Sequence, residues 1–215
     1  MARAGLRLVF GDDRVLRRFI GLAAAVLAGA LLAAWGGPAG LPASSGTSAS
    51  AVTALDLTGK AIDPLEAAGG KVLVLIFVRT DCPIANRYAP TIKALSQKYA
   101  GAAVMMLVYP DKSETPQNIE KHLQEYGYRL AALQDKQLSL VKLSKVEITP
   151  EVGVFNGKGE LIYHGRIDNW YKEFGRARPA PTTHELDEAV QAAVNGSQAV
   201  PASVGGVGCY ISDLK

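Results

Sequence analysis

Cysteine is the scarcest informative residue in this chain of 215. There are two, Cys82 and Cys209, 127 positions apart. Two cysteines cannot staple a disulfide scaffold. Position 85 is Ala, so Cys82 has no neighbour with which to form a local Cys-x-x-Cys disulfide. Histidine is nearly as rare, with only His122, His164 and His184. Structural zinc and copper sites normally present more ligands than that. Charge of one sign is also missing from most of the chain. The whole sums to +3, and residues 1–18 alone carry +3, through Arg3, Arg7, Arg14, Arg17 and Arg18 against Asp12 and Asp13. The remainder is close to neutral and offers no basic face, which excludes a nucleic-acid partner. No internal repeat is present.

The longest uncharged run is residues 19–35, FIGLAAAVLAGALLAAW. As a helix it would rise roughly 25 Å, the short end of what spans a bilayer. The arginines precede it and no basic cluster follows. The positive-inside rule then puts the N-terminus in the cytoplasm and the body outside. Two readings stand: an uncleaved anchor that holds the chain in the membrane through residues 19–35, or a signal peptide cleaved near Ala49-Ser50-Ala51. No Cys directly follows the run, which argues against a lipoprotein anchor. The chain therefore divides into a leader (1–35), a Gly/Pro/Ala/Ser linker (36–52), a folded domain (53–196) and a Gly-rich tail (197–215) carrying Cys209. The expected location is the periplasmic or extracytoplasmic face, where a disulfide can persist.

Within the domain, strand and helix signals alternate. Residues 71–78 (KVLVLIFV) and 103–109 (AVMMLVY) are continuous apolar runs, as expected for strands covered on both faces. Residues 84–99 read as a helix broken by Pro90. Residues 115–126 form a polar helix with Pro116 in its first turn. Residues 130–133 read as a short strand and 137–143 as a short helix. Residues 151–155 and 161–166 flank Asn156-Gly157-Lys158-Gly159, a hairpin turn. Thr182-x-x-Glu185 is a capping-box pattern that opens a last helix ending at Gly196. This order predicts an α/β sandwich with a mixed central sheet.

Cys82 lies where a buried strand feeds a helix, in Asp81-Cys82-Pro83-Ile84. Helix-terminal amides favour the thiolate, which is the nucleophilic form. Pro83 suits the first helical turn. Asp81 disfavours the thiolate, and Arg79 and Arg87 offset it. Pro90 follows Cys82 by eight residues, and Thr149-Pro150-Glu151-Val152-Gly153-Val154-Phe155 precedes the hairpin turn. These features resemble the thioredoxin superfamily across residues 53–196. The resemblance implies a thioredoxin-like α/β/α sandwich, a cis-proline at Pro150 after Thr149 facing the active-site Cys, and redox chemistry at Cys82. Ala85 and Ile76 stand where thioredoxins carry the second Cys and a buried acid. The Asp-Cys-Pro-Ile loop resembles the redoxin branch, which includes alkyl hydroperoxide reductases and thiol-specific antioxidants. Residues 166–171, 174–175 and 208–211 resemble a set found in bacterial members with that loop. Arg79 and Leu75 occupy the positions where peroxidases of this branch carry Thr and Pro.

Any resolving thiol within the chain must then be Cys209. Read as a mobile tail residue, it can resolve Cys82, staple the fold, or pair with another molecule. The function expected is extracytoplasmic thiol–disulfide oxidoreduction without a cofactor. Cys82 is the nucleophile, Cys209 and Pro150 are catalytic partners, and Asp81, Pro83, Arg87 and Thr149 dock or tune. The partner is a thiol or disulfide protein or a small redox molecule. One alternative is a thiol peroxidase. The other is a partner-docking or Cu(I)-binding module using Cys82, His164 and Cys209, since Cu(I) prefers soft thiolates. His122 and His184 read as solvated surface. Asp168, Trp170 and Tyr171 read as packing for the last helix or as lining the groove beside Cys82.

Overall fold

The computed structural model describes residues 52–197 and 200–211. All belong to one compact unit, Thr47–Lys215. The leader, the apolar run at 19–35 and most of the 36–52 linker lie outside the described residues. Among the described residues no helix is long and apolar enough to cross a membrane.

In chain order the elements are β1 (Ala54–Asp56), β2 (Ala61–Ile62), α1 (Pro64–Ala68), β3 (Val72–Phe77), α2 (Pro83–Arg87), α3 (Ala89–Lys98), β4 (Ala103–Tyr109), α4 (Pro116–Tyr126) and β5 (Ala131–Gln134). They continue with α5 (Ser139–Ser144), β6 (Ile148–Thr149), β7 (Glu151–Phe155), β8 (Leu161–Gly165), β9 (Tyr171–Glu173), β10 (Arg176–Ala177), α6 (Glu185–Val194) and β11 (Cys209–Tyr210). Seven strands form the main sheet in the order β2-β1-β5-β4-β3-β7-β8. β3, β4 and β5 run parallel, and the flanking pairs are antiparallel. The mixed sheet expected from the element order is therefore present.

The apolar runs explain the centre of this sheet. All six residues of β3 are buried. Their side chains alternate between faces, as strand geometry requires. Val72, Val74 and Ile76 pack with Ile92, Ile119 and Val190 on one face. Leu73, Leu75 and Phe77 pack with Leu140, Val141 and Phe155 on the other. This two-sided burial makes an α/β/α sandwich. Local chemistry sets the helix ends. The Thr115 hydroxyl accepts from Asn118 N at 3.2 Å to cap α4, and Gly127 closes it in the left-handed region at φ 64°.

Three local expectations are corrected. The helix break falls at Tyr88, between α2 and α3, and Pro90 sits in the first turn of α3, where a missing N–H costs nothing. The Thr182–Glu185 capping box does not form. His184 precedes α6 without a side-chain cap, because Glu185 is drawn into an ion pair with Arg166 and accepts from Thr183 Oγ1. The tail is not free. Its residues 204–211 lie along the domain and end in β11, paired with β6.

Leu107, in the middle of β4, is fully buried. Leu107→Ala is expected to cost about 2–5 kcal/mol, read as a lower denaturant midpoint with an unchanged slope.

Candidate functional site

β3 delivers the chain to a four-residue loop, 78–81, and Cys82 then precedes α2 with φ −82° and ψ 108°. That extended conformation is typical of an N-cap residue, and Pro83 takes the first helical position. Cys82 is completely buried. Its thiol donates to the Thr149 carbonyl oxygen at 3.2 Å. The Thr149–Pro150 peptide is cis, as the resemblance implied, and it links β6 to β7 directly beside Cys82.

The tail covers this arrangement. Cys209 pairs with Thr149 and Tyr210 with Ile148 in antiparallel register. Ile211 N donates to Glu147 O at 3.0 Å, and Gly206 N donates to Glu151 Oε1 at 2.8 Å. Glycine is required where the two backbones meet. A Cβ at Gly208 would lie 1.9 Å from the Thr149 carbonyl oxygen, and one at Gly165 would lie 2.2 Å from the Val204 oxygen. Strand pairing turns Cys209 inward and Tyr210 outward, and Tyr210 is 78% exposed. The Cys209 thiol is hydrogen-bonded to Cys82. Both cysteines are free thiols. Burial, then the hydrogen bond and the charge of Cys82, push the Cys209 thiol well above its ordinary pKa. It therefore keeps its proton at neutral pH and can donate it to the neighbouring sulfur.

The loop before Cys82 is fixed from two sides. The Arg79 guanidinium holds Asp81 through two hydrogen bonds of 3.0 Å and Asp111 at 3.1 Å. It also donates to the Tyr210 carbonyl at 3.5 Å. The charge of Asp81 is thus already paired. Thr80 is gripped by its backbone and side chain together. Its N–H and hydroxyl donate to Glu114 Oε1 at 3.1 and 2.5 Å, and its carbonyl accepts from Asn86 Nδ2 at 2.9 Å. Asn86 Oδ1 then faces His122 Nε2 at 2.9 Å, and the other ring nitrogen meets the Tyr109 hydroxyl at 2.8 Å. An amide oxygen can only accept, so Nε2 carries the proton and Nδ1 accepts from Tyr109. His122 is neutral, and burial lowers its pKa against the opposing charge of Glu125.

Of the residues expected from sequence, Cys82, Thr149, Pro150 and Cys209 come together. Asp81 is exposed and paired with Arg79, and Pro83 starts α2. Arg87 is directed away, its guanidinium 5.1 Å from the Trp170 ring and 5.8 Å from that of Tyr171. Its charge serves that aromatic pair. His164 lies on β8 opposite Gly153. Among the described residues no three His, Cys, Asp or Glu side chains gather as a metal-binding group, so the Cys82–His164–Cys209 set is not assembled. His122 is only 4% exposed, correcting the expectation of a solvated residue. Its position three after Ile119, on the buried face of α4, was the available signal. Glu114 had no sequence signal, because its role depends on packing against Thr80. Asp168 accepts from the Tyr88 hydroxyl at 2.6 Å and from Trp170 N at 2.8 Å. Tyr88, Pro150, Asp168, Tyr171 and the tail glycines Gly205 and Gly206 line a cavity of about 230 Å³.

No family model matches the chain, and no curated protein does. Solved structures do. A hypothetical protein of Sinorhizobium meliloti superposes with TM-score 0.62 at 22% identity, over 74% of this chain and 88% of its own. An uncharacterized conserved protein from Geobacillus kaustophilus gives 0.63 at 20%, over 74% and 86%. An uncharacterized thioredoxin-like protein from Porphyromonas gingivalis gives 0.51 at 19%, over 67% and 90%. The fold is thioredoxin-like.

Within this thioredoxin-like domain, Gly208→Ala is expected to lift the tail, because the obstructing atom is backbone and cannot move aside. N-ethylmaleimide should then alkylate Cys82 about tenfold faster than in the parent. An unchanged rate would show that the tail does not shield it. The depressed pKa of His122 also has a consequence for stability. As the pH falls below about 6.5 the unfolded chain takes up that proton first, so stability present above this pH is progressively lost. Thermal unfolding between about pH 7.5 and 5.5 should show a smaller loss for His122→Gln than for the parent.

Proposed function

We propose that this chain is an extracytoplasmic thiol–disulfide oxidoreductase. It cycles between a Cys82/Cys209 dithiol and a disulfide joining the same two sulfurs. The observation that carries this reading is the pairing of β11 with β6. It sets two free thiols in hydrogen-bond contact beside the cis Thr149–Pro150 peptide. The electron balance is that of thiol exchange. When a partner dithiol is oxidised to its disulfide, the Cys82–Cys209 bond takes up two electrons and two protons. The reverse reaction oxidises Cys82 and Cys209 and reduces a partner disulfide. No cofactor is needed, because both electron pairs reside on sulfur.

The basic leader and the uncharged run at 19–35 support work outside the cytosol, with the chain held at the membrane or released by cleavage. An oxidising compartment lets such a disulfide persist. The Asp81-Cys82-Pro83-Ile84 loop supports placement near the redoxin branch, but the surroundings of Cys82 favour exchange over peroxide reduction. Arg79 stands where that chemistry needs Thr, and its guanidinium is occupied by Asp81, Asp111 and the tail.

Peptide mapping of the oxidised chain without reductant is expected to yield a Cys82–Cys209 link. In the chain-entropy account, closing a loop of 127 positions stabilises the oxidised form by roughly 4–5 kcal/mol, less any strain. The oxidised form should therefore unfold at higher denaturant than the reduced form. Free thiols at both positions under oxidising conditions would sink the reading.

A further inference from the structure

We infer that the partner exchanges with Cys209, and that Cys82 acts as the internal thiol behind it. This rests on the Cys82–Cys209 pair proposed above and assigns its two ends. It inverts the order expected from the motif, in which Cys82 meets the partner and Cys209 resolves.

Accessibility carries the assignment. Cys82 is fully buried, and its sulfur is engaged by the Thr149 carbonyl and by Cys209. The tail that buries it is held to the domain at successive points. Arg166 N donates to Val204 O at 2.9 Å, Gly206 N to Glu151 Oε1 at 2.8 Å, and Ile211 N to Glu147 O at 3.0 Å. A Cys82–Cys209 disulfide would tie the tail down further, since its strand would be bonded to the site it covers. A thiol arriving from solvent meets Cys209 first, because that residue is partly exposed. It lies beside the outward-facing Tyr210, an exposed aromatic surface for a partner chain to approach.

The steps balance with a dithiol partner as the co-reactant. A partner thiolate attacks Cys209 Sγ, a partner–Cys209 disulfide forms, and the Cys82–Cys209 bond breaks. Cys82 leaves as the thiolate and takes up a proton. The partner's second thiolate attacks the partner sulfur of that mixed disulfide, and Cys209 leaves and is protonated. The partner departs oxidised by two electrons and the chain is reduced by two. Run backwards, Cys209 attacks a partner disulfide, and Cys82 then attacks Cys209 Sγ to release the partner as a dithiol.

The test uses the full chain, oxidised, mixed briefly with excess reduced glutathione and quenched in acid before peptide mass mapping. The expected product carries glutathione on Cys209 with Cys82 as a free thiol, in about tenfold excess or more over the opposite product. Glutathione on Cys82 with Cys209 free would overturn the assignment while leaving the redox pair intact. Failure of the starting disulfide to form would overturn the exchange reading and this assignment with it. A second measurement compares the single-thiol variants against a small aromatic disulfide. Cys82→Ser should react at Cys209 with the tail docked, and Cys209→Ser should be protected. The reverse order would also overturn the assignment.

Discussion

Two residues of antiparallel pairing, Cys209 with Thr149 and Tyr210 with Ile148, organise everything else at this site. They cover Cys82, set the distal cysteine beside it, and form next to the cis peptide that links β6 to β7. The pairing requires close backbone approach, which is why Gly208 must lack a side chain. Each such hydrogen bond contributes little by itself, about 1 kcal/mol net. Several in succession, with Ile211 buried behind them, hold the tail in one register.

The loop that presents Cys82 depends on a different set of forces. Buried polar groups must find partners, and Thr80 satisfies all three of its polar groups with Glu114 and Asn86. Asn86 in turn is oriented by a neutral His122, and His122 by Tyr109. The chain of bonds runs from the central strand β4 through α4 to the start of α2. On the far side, Tyr88 and Asp168 join α2 to the loop after β8. Cys82 is therefore held between two polar networks inside an otherwise apolar core.

Much of this is legible in the sequence, for identifiable reasons. The runs at 71–78 and 103–109 were readable because full burial on both faces demands unbroken apolar sequence. Cys82 and Pro150 were readable because strand-to-loop junctions in this sheet bring them to one edge. Sequence proximity does not tell which way a helix faces, and α2 turns Arg87 toward Trp170 and Tyr171. His122 reads as surface in the sequence because its polar neighbours on α4 obscure a buried stripe containing Ile119. The tail reads as mobile in the sequence because glycine signals flexibility and close approach alike, and only the surface beneath it shows which applies.

The sequence by itself determined the fold class, the strand-to-helix position of Cys82, and the absence of any local thiol partner. These follow from hydrophobic period, turn chemistry and residue identity, which act over short stretches of chain. Tertiary structure alone decided that Cys209 meets Cys82, that Asp81 is paired with Arg79, and that His122 is buried and neutral. Those outcomes join residues up to 127 positions apart. They depend on which backbones can approach closely enough to pair and on which polar groups water can still reach.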